Sequence, residues 1–175
     1  MKASVRSLLD LTGKVSIITG GARLLGIQRA EAIAEMGGIP VLRDLGGDRA
    51  AALAREIIGV YGVQALALAG DITRAEAMSE PLSKTLAALG RVNMDILINK
   101  AAYNPKVEGA DLSSAHWSRL ENFPLEVWHQ QLEVDLIGAF LCSQIVGGEM
   151  AGGDKGVILD IASDSPNLIL YGGRL

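Results

Sequence analysis

Val15-Ser16-Ile17-Ile18-Thr19-Gly20-Gly21-Ala22-Arg23-Leu24-Leu25-Gly26 is the stretch on which the fold turns. Its first half is rich in apolar and β-branched residues, which predicts a short strand buried on both faces. Gly20 and Gly21 then allow backbone angles and a close approach that a side chain would block. Gly26 opens a helical pattern, and a helix start presents unpaired N–H groups and the positive end of its dipole. Strand, glycine turn and helix together form the arrangement that holds a dinucleotide pyrophosphate in a doubly wound sheet. With 21 glycines in 175 residues, the same letters also suit a plain strand-to-helix turn. The rest of the chain decides between the two.

Moving outward, the helical pattern runs to about Met36, and Gly37-Gly38 ends it. Ile39 to Leu42 reads as a second strand, followed by Arg43 and Asp44. Asp44 comes roughly 20 residues after the turn, where a dinucleotide fold places the acid that binds the adenosine ribose. Its carboxylate can accept from both ribose hydroxyls and repels a 2′-phosphate, which favours NAD over NADP. It could equally cap the next turn. Arg23 pulls the other way if its guanidinium reaches a 2′-phosphate, or it is a solvated surface charge.

A helix over Arg49–Tyr61 and a strand over Gln64–Ala69 come next, then Gly70-Asp71-Ile72-Thr73. Asp71 suits the adenine amino group, with Ile72 against the ring face; Asp71 or Thr73 also suits a helix cap. Residues 74–89 read as a helix in which Pro81 marks a kink or a late start. Asp95 to Asn99 is a fourth strand, followed by Lys100-Ala101-Ala102, whose small residues let the backbone approach a ligand. Residues 103–124 have no clear period, and His116 there reads as solvent-exposed. Leu125 to Met150 is the longest helical pattern, with Trp128, Leu132, Leu136, Ala139 and Phe140 on one side. Val157 to Ile161 is a fifth strand, followed by Ala162-Ser163. Alternation of strand and helix through five strands predicts an α/β fold with a parallel sheet.

Bulk composition sets limits on the function. Apolar residues make up 49% and charged residues 21%, as in a globular domain. A net charge of −4 argues against a nucleic-acid surface. Cys142 is the single cysteine, so there is no internal disulfide and a reducing setting is expected. No secretory signal is expected at the N-terminus and no run is expected to approach a membrane span, so the protein reads as cytoplasmic, without membrane or nucleic-acid partners.

Taken together, Thr19–Gly26, Asp44, Gly70–Thr73, Asp95–Ala102, Val134–Phe140 and Gly156–Ser163 resemble the short-chain dehydrogenase/reductase family in order and near spacing. The resemblance covers about residues 9–165. It implies a Rossmann-like, doubly wound parallel sheet with five strands present in the order 3-2-1-4-5 and the last strands missing. It also implies NAD(P)-dependent hydride transfer between an alcohol and a carbonyl of a small-molecule substrate. The cofactor is expected to be NAD, with NADP second, held by Gly20, Arg23, Leu25, Gly26, Asp44, Asp71, Ile72, Asn99 and Ala101. The family's catalytic group is Asn, Ser, Tyr and Lys. Ser163 matches the serine, and Asp135 stands at the helix asparagine. Pairing through the long helix implies a homo-oligomer whose usual interface is incomplete here.

Four departures qualify the resemblance. Leu24 stands where the family usually has glycine, and Lys100 replaces an asparagine. Asp135, when ionised, only accepts hydrogen bonds, unlike asparagine. No tyrosine among Tyr61, Tyr103 and Tyr171 is followed four positions later by lysine. Residues 1–175 are therefore expected to form a single, incomplete dinucleotide-binding domain, truncated before the Tyr-x-x-x-Lys pair and catalytically impaired. A nucleotide-binding module without catalysis is the alternative. A methyltransferase binding S-adenosylmethionine is a third reading, in which the Asn99 and Ser163 segments have no role.

Overall fold

A computed structural model describes residues 5–90, 94–103, 123–153 and 155–162. Five parallel strands form one sheet, in the order β3-β2-β1-β4-β5. They are β1 (Val15–Thr19), β2 (Ile39–Asp44), β3 (Leu66–Ala69), β4 (Ile96–Asn99) and β5 (Val157–Asp160). This is the Rossmann-like order expected from the sequence. After a short leading helix α1 (Val5–Leu8), the connections are α2 (Leu25–Glu35), α3 (Gly47–Tyr61) and α4 (Glu76–Ala88). The long helical rod before β5 has three parts: α5 (Leu125–Gln131), a π-helical stretch (Leu132–Gly138) and α6 (Ala139–Gly152).

The period of two along each central strand assigns its side chains to opposite faces. Val15, Ile17, Val41 and Leu97 pack with Met78, Leu82 and Leu86 of α4 and with Cys142, Val146 and Met150 of α6. Ile18, Leu42 and Ile98 pack with Ala30 and Ala34 of α2 and with Leu53, Ala54 and Ile57 of α3. Helices therefore cover both faces of β1, and all five of its residues are buried. At its start, the Asp95 carboxylate accepts from Val15 N (3.0 Å) and pairs with Lys14 Nζ (2.7 Å), fixing β4 against β1.

Two sequence expectations need correction, and the facing of the long helix, which the sequence left open, is settled. Arg43 and Asp44 belong to β2 itself, paired with Leu68 and Ala69 of β3, rather than following the strand. The apolar stripe Trp128, Leu132, Leu136, Phe140 on the long helix is exposed. The core takes a second stripe, Gly138, Cys142, Val146 and Met150, spaced by four. A helix with two apolar stripes does not reveal by periodicity which one faces the sheet. Finally, the rod over 125–152 is long and apolar enough by length and composition to cross a membrane, against the expectation of no such run. Its Cys142–Met150 face is packed into the core described above, as in a core helix of a globular fold.

Candidate cofactor site

The site lies at the C-terminal ends of β1, β2, β3 and β4, where strand order reverses about β1. Gly20 has φ +63°, and a Cβ there would come within 3.0 Å of Ala101 Cα. A Cβ on Gly21 would sit 2.8 Å from the Ile18 carbonyl oxygen, and one on Gly26 would overlap the Gly20 carbonyl. The close approach that these glycines permit is that of the protein's own chain. It brings the ends of β4 and β2 against the turn and so closes the floor of the site.

Thr19 fixes the same junction. Its Oγ1 accepts from Lys100 N (2.9 Å) and Ala101 N (3.0 Å). Thr19 escaped the sequence reading as a site residue, although a hydroxyl residue directly before a glycine turn was the available signal. Leu24 has φ +40° and ψ −118°, the single positive φ on a non-glycine residue among those described. The family's glycine at this point suits that backbone; a leucine is strained there. In the turn that results, Gly26 N donates to the Arg23 carbonyl (2.7 Å) and Ile27 N to the Leu24 carbonyl (3.2 Å). The helix start therefore offers fewer unpaired N–H groups than its sequence suggested.

Asp44 is 6% exposed. Its Oδ2 accepts from Ala22 N (3.1 Å) and its Oδ1 from Gly46 N (3.0 Å). Together with Gly20, Arg23, Asp71 and Ile72 it lines a narrow cleft. Asp71 Oδ1 accepts from both Thr73 N (2.9 Å) and Thr73 Oγ1 (2.8 Å), so this loop is a self-capped turn that also faces the cleft. A wider cleft of about 1240 Å³ opens next to it, lined by Thr19, Leu25, Asn99, Asp135, Ser143 and Asp160. Lys100, Ala101 and Ile72 border both clefts. Lys100 Nζ reaches the Arg23 carbonyl (3.4 Å) across the glycine turn. Burial, with Arg29 and Arg23 nearby, lowers the Lys100 pKa, and Asp44 opposes that shift.

The wider cleft holds the second group of expected residues. Asn99 Nδ2 donates to Ser143 Oγ (2.9 Å) and Asp160 Oδ1 (2.8 Å), which joins β4 to α6 and β5. Its amide nitrogen is thus committed to the protein, whereas its buried Oδ1 has no partner among the described residues. Ser143 and Asp160 are partners that the sequence did not announce. Asp135 sits in the π-helical stretch, and its Oδ1 accepts from Tyr103 N (2.8 Å). Burial raises the Asp135 pKa, and the Tyr103 N–H bond opposes it. Ser163, His116 and Tyr171 lie outside the described residues. Among the described residues, no cluster of His, Cys, Asp or Glu could hold a metal ion.

The two clefts adjoin, with the Asp44 carboxylate lining one and the Lys100 ammonium bordering both. The chain is also similar to known proteins. The chain is 31% identical over 163 residues to an NAD-dependent glycerol dehydrogenase of Listeria innocua, covering 92% of this chain and 57% of that protein. It is 34% identical over 164 residues to a 2-dehydro-3-deoxy-L-rhamnonate dehydrogenase (NAD(+)) of Sphingomonas, covering 91% and 59%. A solved short-chain type dehydrogenase/reductase from Mycobacterium marinum superposes with a TM-score of 0.79 at 28% identity, over 93% of this chain and 61% of that one. The chain thus spans somewhat more than half the length of the relatives it matches. The sequence model of the short chain dehydrogenase family matches residues 14–169, and with that extent of match the chain belongs to the short-chain dehydrogenase/reductase family.

Proposed function

We propose that the chain binds NAD across the two clefts, as the cofactor-holding part of an oxidoreductase that moves hydride between an alcohol and a carbonyl of a small molecule. The observation that carries this reading is Asp44: a buried carboxylate at the cleft wall, aimed by two backbone N–H bonds. A carboxylate accepts from vicinal ribose hydroxyls and repels a phosphate in their place, which favours NAD over NADP. The adenine would lie by Asp71 and Ile72, the pyrophosphate over Gly20–Gly26 near Lys100, and the nicotinamide in the wider cleft near Asp135. Bound NAD would supply the hydride acceptor. Asp135, its Oδ1 fixed by Tyr103 N, would accept from a water at the substrate end through Oδ2.

A second reading, nucleotide binding without catalysis, is favoured by Asp135, which stands at the family's helix asparagine and, when ionised, only accepts hydrogen bonds. The homo-oligomer implied by the family is supported by the exposed Leu132, Leu136 and Phe140 on the long helix. A cytoplasmic location is supported by the single, buried Cys142.

Fluorescence titration of the purified chain with NADH, NADPH and S-adenosylmethionine tests the proposal. NADH is expected to saturate and S-adenosylmethionine to show no binding; the reverse result would sink the dehydrogenase reading. Asp44→Ala is expected to weaken NADH by about tenfold more than NADPH, the scale of a charge-assisted hydrogen bond. An equal loss for both would remove Asp44 from ribose recognition. A turnover screen with polyols and hydroxy acids then separates the dehydrogenase from the binding module.

A further inference from the structure

Next to Asp44 in the sequence is a residue that no part of the proposed chemistry uses. Arg43 is fully buried at the end of β2, on the opposite face of the sheet from Asp44, and borders the narrow cleft. A buried guanidinium is normally neutralised by a carboxylate. No salt bridge to Arg43 occurs among the described residues. Instead Nη1 donates to the Ala69 carbonyl (2.7 Å) and Nη2 to the Ala77 carbonyl (2.6 Å), while Nε has no partner among the described residues. Ala69 ends β3 and Ala77 lies in the first turn of α4. The guanidinium thus bridges the two ends of the loop that carries Gly70, Asp71 and Ile72.

Two further features of the sequence serve this bridge. Proline has no backbone N–H, so Pro81 in α4 offers no helical donor to the carbonyl four residues earlier. That carbonyl belongs to Ala77, and Arg43 supplies the donor. Gly70 has φ +144°, and a Cβ there would stand 2.9 Å from Arg43 Cζ. Only glycine lets the loop lie flat against the guanidinium. The unusual proline, the unusual glycine and the buried arginine are three parts of one arrangement.

We infer that Arg43 is a positioning residue for base recognition: by tying Ala69 to Ala77 it holds Asp71 and Ile72 at the spacing in which they read the adenine ring. This rests on the assignment of adenine to that cleft. Asp71 Oδ1 is taken by Thr73, which leaves Oδ2 to accept from the 6-amino group. An error of about an ångström in the loop would loosen that contact. Arg43, with no exposed surface, acts on the base end through the loop it holds.

The test compares NADH with reduced nicotinamide hypoxanthine dinucleotide, in which an oxo group replaces the 6-amino group. A carboxylate only accepts, so it favours the amino group over the oxo. The unaltered chain is expected to prefer NADH by about tenfold, the scale of one charge-assisted hydrogen bond. Arg43→Met, similar in reach but without donors, is expected to bring that preference below about threefold. Arg43→Lys, which keeps the cation and one carbonyl bond, is expected to fall between the two. It serves as the reading variant if Arg43→Met fails to fold. Equal weakening of both dinucleotides, with the preference intact, would show Arg43 to be a fold support only and would overturn the inference. An unaltered chain that binds NADH without preferring it over the hypoxanthine analogue would overturn the inference and leave the NAD reading standing. Failure of the unaltered chain to bind NADH at all would overturn both.

Discussion

Strands β1 and β5 lie in the same parallel sheet and share an apolar composition, VSIIT against VILD, yet their surroundings differ completely. Every residue of β1 is buried, and Ile17 has no exposed surface. Every residue of β5 is exposed, Val157 at 60%, Ile158 at 41% and Leu159 at 47%. Both strands pair with β4 in parallel. What separates them is cover: helices pack on both faces of β1, whereas β5 stands at the edge of the sheet among the described residues. Apolar sequence brings a residue into the sheet, but position in the strand order decides whether water is excluded. An exposed apolar edge is also a template for pairing with another chain.

The largest expected effect that would break this contrast is on stability. Ile17→Ala should cost about 2–5 kcal/mol by urea unfolding, because the cavity opens in a closed core. Ile158→Ala should cost about 1 kcal/mol or less. Comparable losses would mean that β5 is covered in solution. Leu24→Gly sharpens the comparison at the other end of the sheet. Relief of the positive φ at Leu24 should stabilise the chain by about 1 kcal/mol in the same assay, and it should tighten NADH binding by freeing the helix start. A destabilised variant would show that Leu24 carries no strain. Ile158→Lys should reduce light scattering on concentration while leaving the NADH titration unchanged. Undiminished scattering would absolve the edge.

The smallest effect is chemical. Burial pushes the Cys142 thiol up to about 11, although Arg43 opposes the shift. The thiolate is the reactive form, so at pH 8 the folded chain should react with a disulfide reagent far more slowly than the chain in urea. Rapid labelling without denaturant would show that the α6 face opens readily.

The parts of the molecule legible in the sequence are those governed by local rules. The β1–α2 turn could be read from its glycines and β-branched residues, and Asp44 from its distance to that turn. Arg43 could not, because an arginine near a strand end ordinarily reaches water. Only the pairing of β2 with β3 and the arrival of α4 reveal that it is enclosed. Asn99 was expected at the site and lines the wider cleft, but its partners Ser143 and Asp160 come from elements 40 or more residues later, beyond the reach of any local pattern. The long helix was legible, but which of its two apolar stripes faces the sheet was not.

On the proposed reading of Asp44 as the ribose contact, its geometry has a further consequence in the rate and heat of binding. Its carboxylate is already held by Ala22 N and Gly46 N before any ligand arrives. A side chain that must be immobilised on association costs about 0.5–1.5 kcal/mol. Here that ordering takes place during folding. Capture of a ribose should therefore need no rearrangement at this wall, so its entropy loss falls on the ligand and its association should be a single fast step.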